Sequence, residues 1–179
     1  MLADGVKEVL FTAEELDARI RELAEEISRD YEDSEILVVG VLKGANVFLS
    51  DLIRNIDLPM EVDFIAASSY GNATESSGVV RILKDLDYPL QGRHVLLIED
   101  LIDTGLTLHY LAENLKSRDP ASFRICTLLD KPERRKVDID VDYKGFDIPD
   151  EFIVGYGIDY SQKYRNLPYI ATLKPEVYA

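Results

Sequence analysis

Apolar residues return along this chain with two different periods, and the alternation between them lays out a fold. Leu16, Ile20, Leu23, Ala24 and Ile27 recur at helical spacing. Just ahead of them, Thr12-Ala13-Glu14-Glu15 has the capping-box pattern, in which a hydroxyl and a carboxylate satisfy free amides at a helix start. Ile36 to Val41 (ILVVGV) is instead a short continuous run, as a strand buried on both faces requires. Lys43-Gly44 follows, then a second helix with Phe48, Leu49, Leu52, Ile53 and Ile56 inward, ended by Pro59.

Val62 to Ala67 predicts another strand. Ser68 to Gly78 (SSYGNATESSG) is polar, has little to pack and is expected to be mobile, the tip of a long hairpin that returns through Val79 to Leu83. Val95 to Ile98 is a third buried strand, leading into Glu99-Asp100 and Asp103-Thr104-Gly105. Leu108, Leu111, Ala112 and Leu115 mark a further helix, and Ile125 to Leu129 a fourth buried strand. Continuous apolar strands alternating with helices predict an α/β fold with a central, mainly parallel sheet flanked by helices.

From Lys131 onward the texture changes. Short apolar runs around Phe146 and at Phe152 to Val154 are separated by Pro149, and the end is rich in tyrosine. Together with the N-terminal helix, this segment is expected to form a small hood over the sheet's edge. The 179 residues fit one domain, with a core over residues 30–130 and a hood from residues 1–30 and 131–179. No repeat or linker divides it.

Composition narrows the chemistry. Acids outnumber bases 34 to 20, for a net charge of −14, and no basic stripe appears. A nucleic-acid binder gains affinity from cations that displace counterions, so that class is disfavoured. Any phosphate ligand should be small and chelated to a metal that offsets the acidic field. No apolar run reaches membrane-spanning length, and Met1 to Glu15, with four acidic residues, does not have a signal peptide's pattern. The single cysteine, Cys126, lies in an apolar run as a small hydrophobe, which suits a reducing cytoplasm.

In open α/β sheets, ligands bind beyond the carboxyl ends of the strands. Those ends carry Lys43-Gly44, Ser69-Tyr70, Glu99-Asp100 and Lys131. The densest signal is Val95 to Thr107, VLLIEDLIDTGLT. Adjacent carboxylates at the end of an apolar strand are costly unless they face oxygen-seeking partners such as a divalent cation and polyol hydroxyls. Asp103 to Thr107 adds hydroxyls and a glycine at a helix start, where unpaired amides favour an anion. One stretch thus supplies ligands for a sugar and metal beside a phosphate cradle. A lone acidic pair is more often a solvated turn, and Asp103 or Thr104 alone more often a cap; the joint pattern reverses that preference.

This stretch resembles the phosphoribosyl-pyrophosphate motif of the type I phosphoribosyltransferases. VLKGA at 41–45, SSYG at 68–71, LLDKPERR at 128–135 and FIVGYGIDYSQKYRNLPYI at 152–170 resemble the hypoxanthine-guanine branch, in that family's order. The resemblance implies the type I fold with a flexible hairpin lid and a hood. It implies transfer of 5-phosphoribosyl from phosphoribosyl pyrophosphate to N9 of hypoxanthine or guanine, giving IMP or GMP and pyrophosphate with Mg2+. Glu99 and Asp100 would hold the ribose hydroxyls and magnesium, Asp103 would take the purine N7 proton, and Thr104, Gly105, Leu106 and Thr107 would bind the 5′-phosphate. Lys43 and Gly44 would form the pyrophosphate loop, with a cis Leu42–Lys43 bond, and Ser69-Tyr70 would begin the lid. Lys131 would donate to purine O6, Phe152 would stack on the ring, and Ile153 would touch it through its backbone. Asp159 would serve the base and a second magnesium, and Arg165 the pyrophosphate. Leu106 departs from members that carry lysine there.

By composition alone, Phe152 suits a core, Lys131 a solvated turn, Arg165 a subunit contact and Asp159 a turn. The resemblance further implies a homodimer or homotetramer, with no nucleic-acid or membrane partner. Alternatives are a xanthine-preferring relative, a regulatory RNA-binding protein on the same fold, or a phosphoacceptor signalling domain, whose acidic pair would lie near the N-terminus.

Overall fold

The computed structural model describes residues 2–69 and 80–179. A 3₁₀ turn, Leu2–Gly5, leads into β1 (Val6–Phe11) and α1 (Ala13–Asp30). Then come β2 (Ile36–Leu42), α2 (Asn46–Ile53), β3 (Met60–Ser69), β4 (Val80–Lys84), β5 (His94–Ile102), α3 (Leu106–Lys116) and β6 (Ser122–Asp130). A 3₁₀ turn at Pro132–Arg134 precedes β7 (Tyr143–Asp147), β8 (Ile153–Val154), β9 (Ile170–Leu173) and the one-turn α4 (Pro175–Tyr178).

The main sheet has six strands in the order β4-β3-β2-β5-β6-β7. Strands β3, β2, β5, β6 and β7 pair in parallel, and β4 returns antiparallel beside β3, as the hairpin pattern predicts. Side chains alternate across a strand, and here the two sets feed two cores. Ile36, Val38, Leu96, Ile98, Cys126 and Leu128 pack with α1 and α2 on one face. Leu37, Val39, Val95, Leu97 and Ile125 meet Leu108, Leu111, Ala112 and Leu115 of α3 on the other. The capping box forms as expected: Glu15 N–H donates to Thr12 Oγ1 at 3.3 Å, and Thr12 N–H to Glu15 Oε2 at 2.8 Å. Leu16, Ile20, Leu23, Ala24 and Ile27 are all buried beneath that helix.

A second sheet, β1-β9-β8, is antiparallel and three-stranded. Its N-terminal contribution is a strand rather than the helix: β1 pairs with β9, Val6 opposite Leu173 and Phe11 opposite Ile170, while α1 lies on the main sheet. Phe146 likewise sits in β7, which extends the main sheet beside β6. Helix α2 stops at Ile53, and Ile56 is buried from the loop that follows. The expected lid, residues 68–78, lies from Tyr70 onward outside the described residues. No helix among the described residues is long and apolar enough to cross a membrane.

Candidate active site

The parallel strands deliver their carboxyl ends to one edge of the main sheet. Strand β5 does not stop before the acidic pair. It runs on to Ile102, with Glu99 opposite Thr127 and Leu101 opposite Leu129, because ladder hydrogen bonds use the backbone whatever the side chain. Glu99 is therefore buried and Asp100 half-buried. Burial lifts the Glu99 carboxyl well above its ordinary range, with the neighbouring Asp100 charge adding to it. Burial raises Asp100 too, against the pull of Arg165. The amides of Asp100 and Leu101 donate to Glu99 Oε1 (3.1 Å) and Asp100 Oδ1 (2.8 Å).

The loop after β2 lies against this pair. The Leu42–Lys43 peptide is cis. Gly44 approaches so closely that a Cβ there would stand 1.8 Å from Asp100 Oδ2. The Lys43 ammonium donates to Gln162 Oε1 at 3.2 Å, and Arg165 Nη2 reaches the same oxygen at 3.1 Å. Arg165 also donates to the Gly157 carbonyl (2.8 Å) and pairs with Asp159 (3.1 Å). Lys43, Arg165 and Asp159 thus belong to one network, although Asp159 also serves the turn by accepting from the Gln162 amide at 2.7 Å.

Beyond Asp100 the chain turns into α3. Gly105 is its N-cap at φ 83°, and no side chain caps it. Neither Asp103 nor Thr104 is the cap; the Thr104 hydroxyl stands 3.5 Å from the Leu106 amide. Unpaired amides at a helix start carry a partial positive charge, which is an anion site's chemistry. Ile139 and Arg135 pack on Gly105, and Lys136 N–H donates to the Thr104 carbonyl at 2.9 Å, so the segment after Lys131 holds this turn.

Asp103, Lys131, Phe152, Ile153 and Asp159 line one cavity of about 540 Å³, together with Leu101, Arg134, Asp150, Glu151, Ile158 and Tyr178. Lys131 is buried, not a solvated turn lysine. Its ammonium donates to the Glu151 carbonyl at 2.8 Å, and burial lowers its pKa although Asp103 and Asp150 oppose that. Phe152 keeps 47% of its surface exposed and is therefore not core. Ile153 is buried in β8, opposite Thr172. Ser69 ends β3 opposite Val80, and Tyr70 lies outside the described residues.

Arg134, Asp150 and Tyr178 were not singled out from the sequence. The Arg134 guanidinium donates to Asp103 Oδ1 at 2.8 Å and lies 3.6 Å from Asp150. The run PERR directly after Lys131 was the available signal for Arg134; Tyr178 had none.

Among the described residues no cluster of three or more acids, histidines or cysteines stands ready as a metal cage. The donor set nevertheless suits magnesium. This ion keeps several waters and takes one or two carboxylates beside substrate phosphates, and the adjoining carboxylates of Glu99 and Asp100, both with raised pKa values, are short of positive charge.

This arrangement, an acidic strand end beside an uncapped helix start in a parallel sheet, defines a class. The chain belongs to the phosphoribosyl transferase family, whose domain model matches residues 10–161. Its relatives there are more particular. A hypoxanthine-guanine phosphoribosyltransferase of Mycobacterium avium is 54% identical, over 97% of this chain and 88% of the relative. That of Bacillus subtilis is 52% identical over 99% of each. A crystal structure of a hypoxanthine phosphoribosyltransferase from Staphylococcus aureus superimposes with a TM-score of 0.95 at 50% identity, covering 98% of this chain and 96% of that one. The expected fold and branch are borne out.

Proposed function

We propose that the protein is a purine-salvage enzyme that transfers 5-phosphoribosyl from phosphoribosyl pyrophosphate to N9 of hypoxanthine and guanine, releasing pyrophosphate with IMP or GMP. One observation carries this reading. A cavity holding an exposed phenylalanine face, a buried lysine and a carboxylate adjoins a strand end that presents two more carboxylates and a helix start whose N-cap, Gly105, has no capping side chain.

The activated sugar spans the strand end. Glu99 and Asp100 accept from the ribose hydroxyls. The amides from Thr104 to Thr107 bind the 5′-phosphate, Leu106 through its backbone alone. Lys43, Gly44 and Arg165 face the pyrophosphate. Magnesium, when bound, offsets charge on the diphosphate leaving group, and Glu99, Asp100 and Asp159 are the residues assigned to hold it. The base lies on Phe152 with Ile153 and Asp159 at its edge, and Lys131 donates to O6.

N9 of the base attacks C1 of the ribose while the bond from C1 to pyrophosphate oxygen breaks, and the electron pair leaves with pyrophosphate. Asp103 accepts the proton from N7. Arg134 donates only to Oδ1 of that carboxylate, which leaves its second oxygen to accept. Charge building at C1 resembles that of glycosyl transfer, so water must be kept out.

We assign a single domain whose hood comprises the small sheet, and a homodimer or homotetramer working in the cytoplasm; the buried, unpaired thiol of Cys126 suits that compartment. A spectrophotometric panel of purine bases with phosphoribosyl pyrophosphate, with and without Mg2+, tests the reading. Magnesium-dependent IMP and GMP formation is expected, with adenine unused; no turnover of any 6-oxopurine would refute it.

A further inference from the structure

Phe152 is not left alone in its cavity. The Tyr178 ring stacks on it, with centroids 4.5 Å apart and planes 26° from parallel. Tyr160 meets it edge-on at 5.6 Å and 88°. A phenyl ring has two faces, and Phe152 stays 47% exposed despite both neighbours.

Tyr178 is held there by more than the stack. Lys174 N–H donates to the Gly5 carbonyl at 2.9 Å, and its ammonium to the Asp4 carbonyl at 2.8 Å. Leu173 N–H donates to the carbonyl of Phe152 itself at 3.1 Å. Val177 packs into the small core of the second sheet. The end of β9 and the turn of α4 therefore fix the tyrosine relative to the backbone of the residue it covers.

We infer that Tyr178 is a positioning residue for the purine: it covers one face of Phe152 and fixes the ring so that the opposite face receives the base. This rests on the proposed purine site. An aromatic ring with one neighbour locked in an offset stack keeps fewer orientations than a free one, so the incoming base gives up less entropy on stacking. The effect falls on base binding, not on the sugar or the chemical step. Only the ring is required, since stacking makes no use of the hydroxyl.

Steady-state kinetics on the full chain and its Tyr178→Ala and Tyr178→Phe variants test this, with wild-type turnover of hypoxanthine as the control. Tyr178→Ala is expected to raise the KM for hypoxanthine by about 3- to 10-fold, the value of one aromatic pair. The kcat, the KM for phosphoribosyl pyrophosphate and the melting temperature should stay near wild type, and Tyr178→Phe should restore base affinity. A fall in the hypoxanthine KM would show that Tyr178 occupies the base's own place and would overturn the inference. So would an unchanged KM, or an equal loss in kcat and both KM values. If the wild-type protein turns over no 6-oxopurine, the proposed function fails first; a wild type that works beside an unaltered alanine variant sinks this inference alone.

Discussion

Arg134 holds the carboxylate of Asp103 through a single 2.8 Å hydrogen bond from its Nε, and that nitrogen also stands 3.6 Å from Asp150. Both partners are near half-exposed, so the pair is screened and contributes little to folding. Its meaning is local: a carboxylate assigned to accept a proton is held at the cavity by a cation that solvent can readily replace. Asp103→Asn removes the acceptor and leaves the rest of the site intact. It should lower kcat by about a hundred- to ten-thousand-fold while calorimetry finds phosphoribosyl pyrophosphate binding as before. Turnover near wild type would rule Asp103 out as the base.

Glu99 and Asp100 carry a cost that ligands relieve. A carboxyl whose folded pKa lies above its unfolded value binds more protons folded than unfolded between those two values. Stability is therefore lost as pH rises through that window and stays low above it. Glu99→Gln should raise the melting temperature of the ligand-free protein at neutral to mildly alkaline pH, by about 2–4 °C for each kcal/mol of desolvation relieved, and flatten the decline with pH. The same change should weaken magnesium-dependent binding of the sugar diphosphate. A variant less stable than wild type at pH 8 would contradict this account.

Lys131 buries an ammonium that donates to the Glu151 carbonyl at 2.8 Å. Lys131→Met keeps the stem and removes the charge. Losing one charged hydrogen bond to O6 is worth about 1.5–3 kcal/mol, so hypoxanthine KM should rise by roughly 10- to 150-fold. Adenine, with an amino group at that position, should gain relative to hypoxanthine. Equal losses for both bases would place the lysine elsewhere in the chemistry.

Gly105 combines a left-handed φ of 83° with Ile139 and Arg135 at 2.9 and 3.0 Å from the position of a Cβ. Gly105→Ala should cost about 1–2 kcal/mol from the backbone alone, read as a lowered urea midpoint. Because the strained turn also aims the α3 amides, the KM for phosphoribosyl pyrophosphate should rise more than that for the base. A variant with unaltered midpoint and kinetics would show that this turn tolerates a side chain.

The strands and helices that position the site were legible because their apolar periods are local and unbroken: ILVVGV, VLLI and the Leu16–Ile27 stripe each became the expected element. What escaped was settled at a distance. Val6–Phe11 alternates too weakly to announce a strand, and its partner is Ile170–Leu173. The run around Phe146 is five residues long, and only its pairing with β6 puts it in the main sheet. In the site, the acidic pair and the Asp103–Thr107 turn lie in one continuous motif, whereas Arg134, Asp150 and Tyr178 gain significance only once three segments meet around a cavity.

The pairing of Phe11 with Ile170 has a consequence for how the molecule comes into being. During synthesis every strand of the six-membered sheet leaves the ribosome before β9 does, so that sheet can close while β1 still waits, unpaired, for a neighbour. The surface that carries Phe152 is completed last, and a nascent chain with a finished central scaffold still lacks the cavity that Lys131, Phe152 and Tyr178 line together.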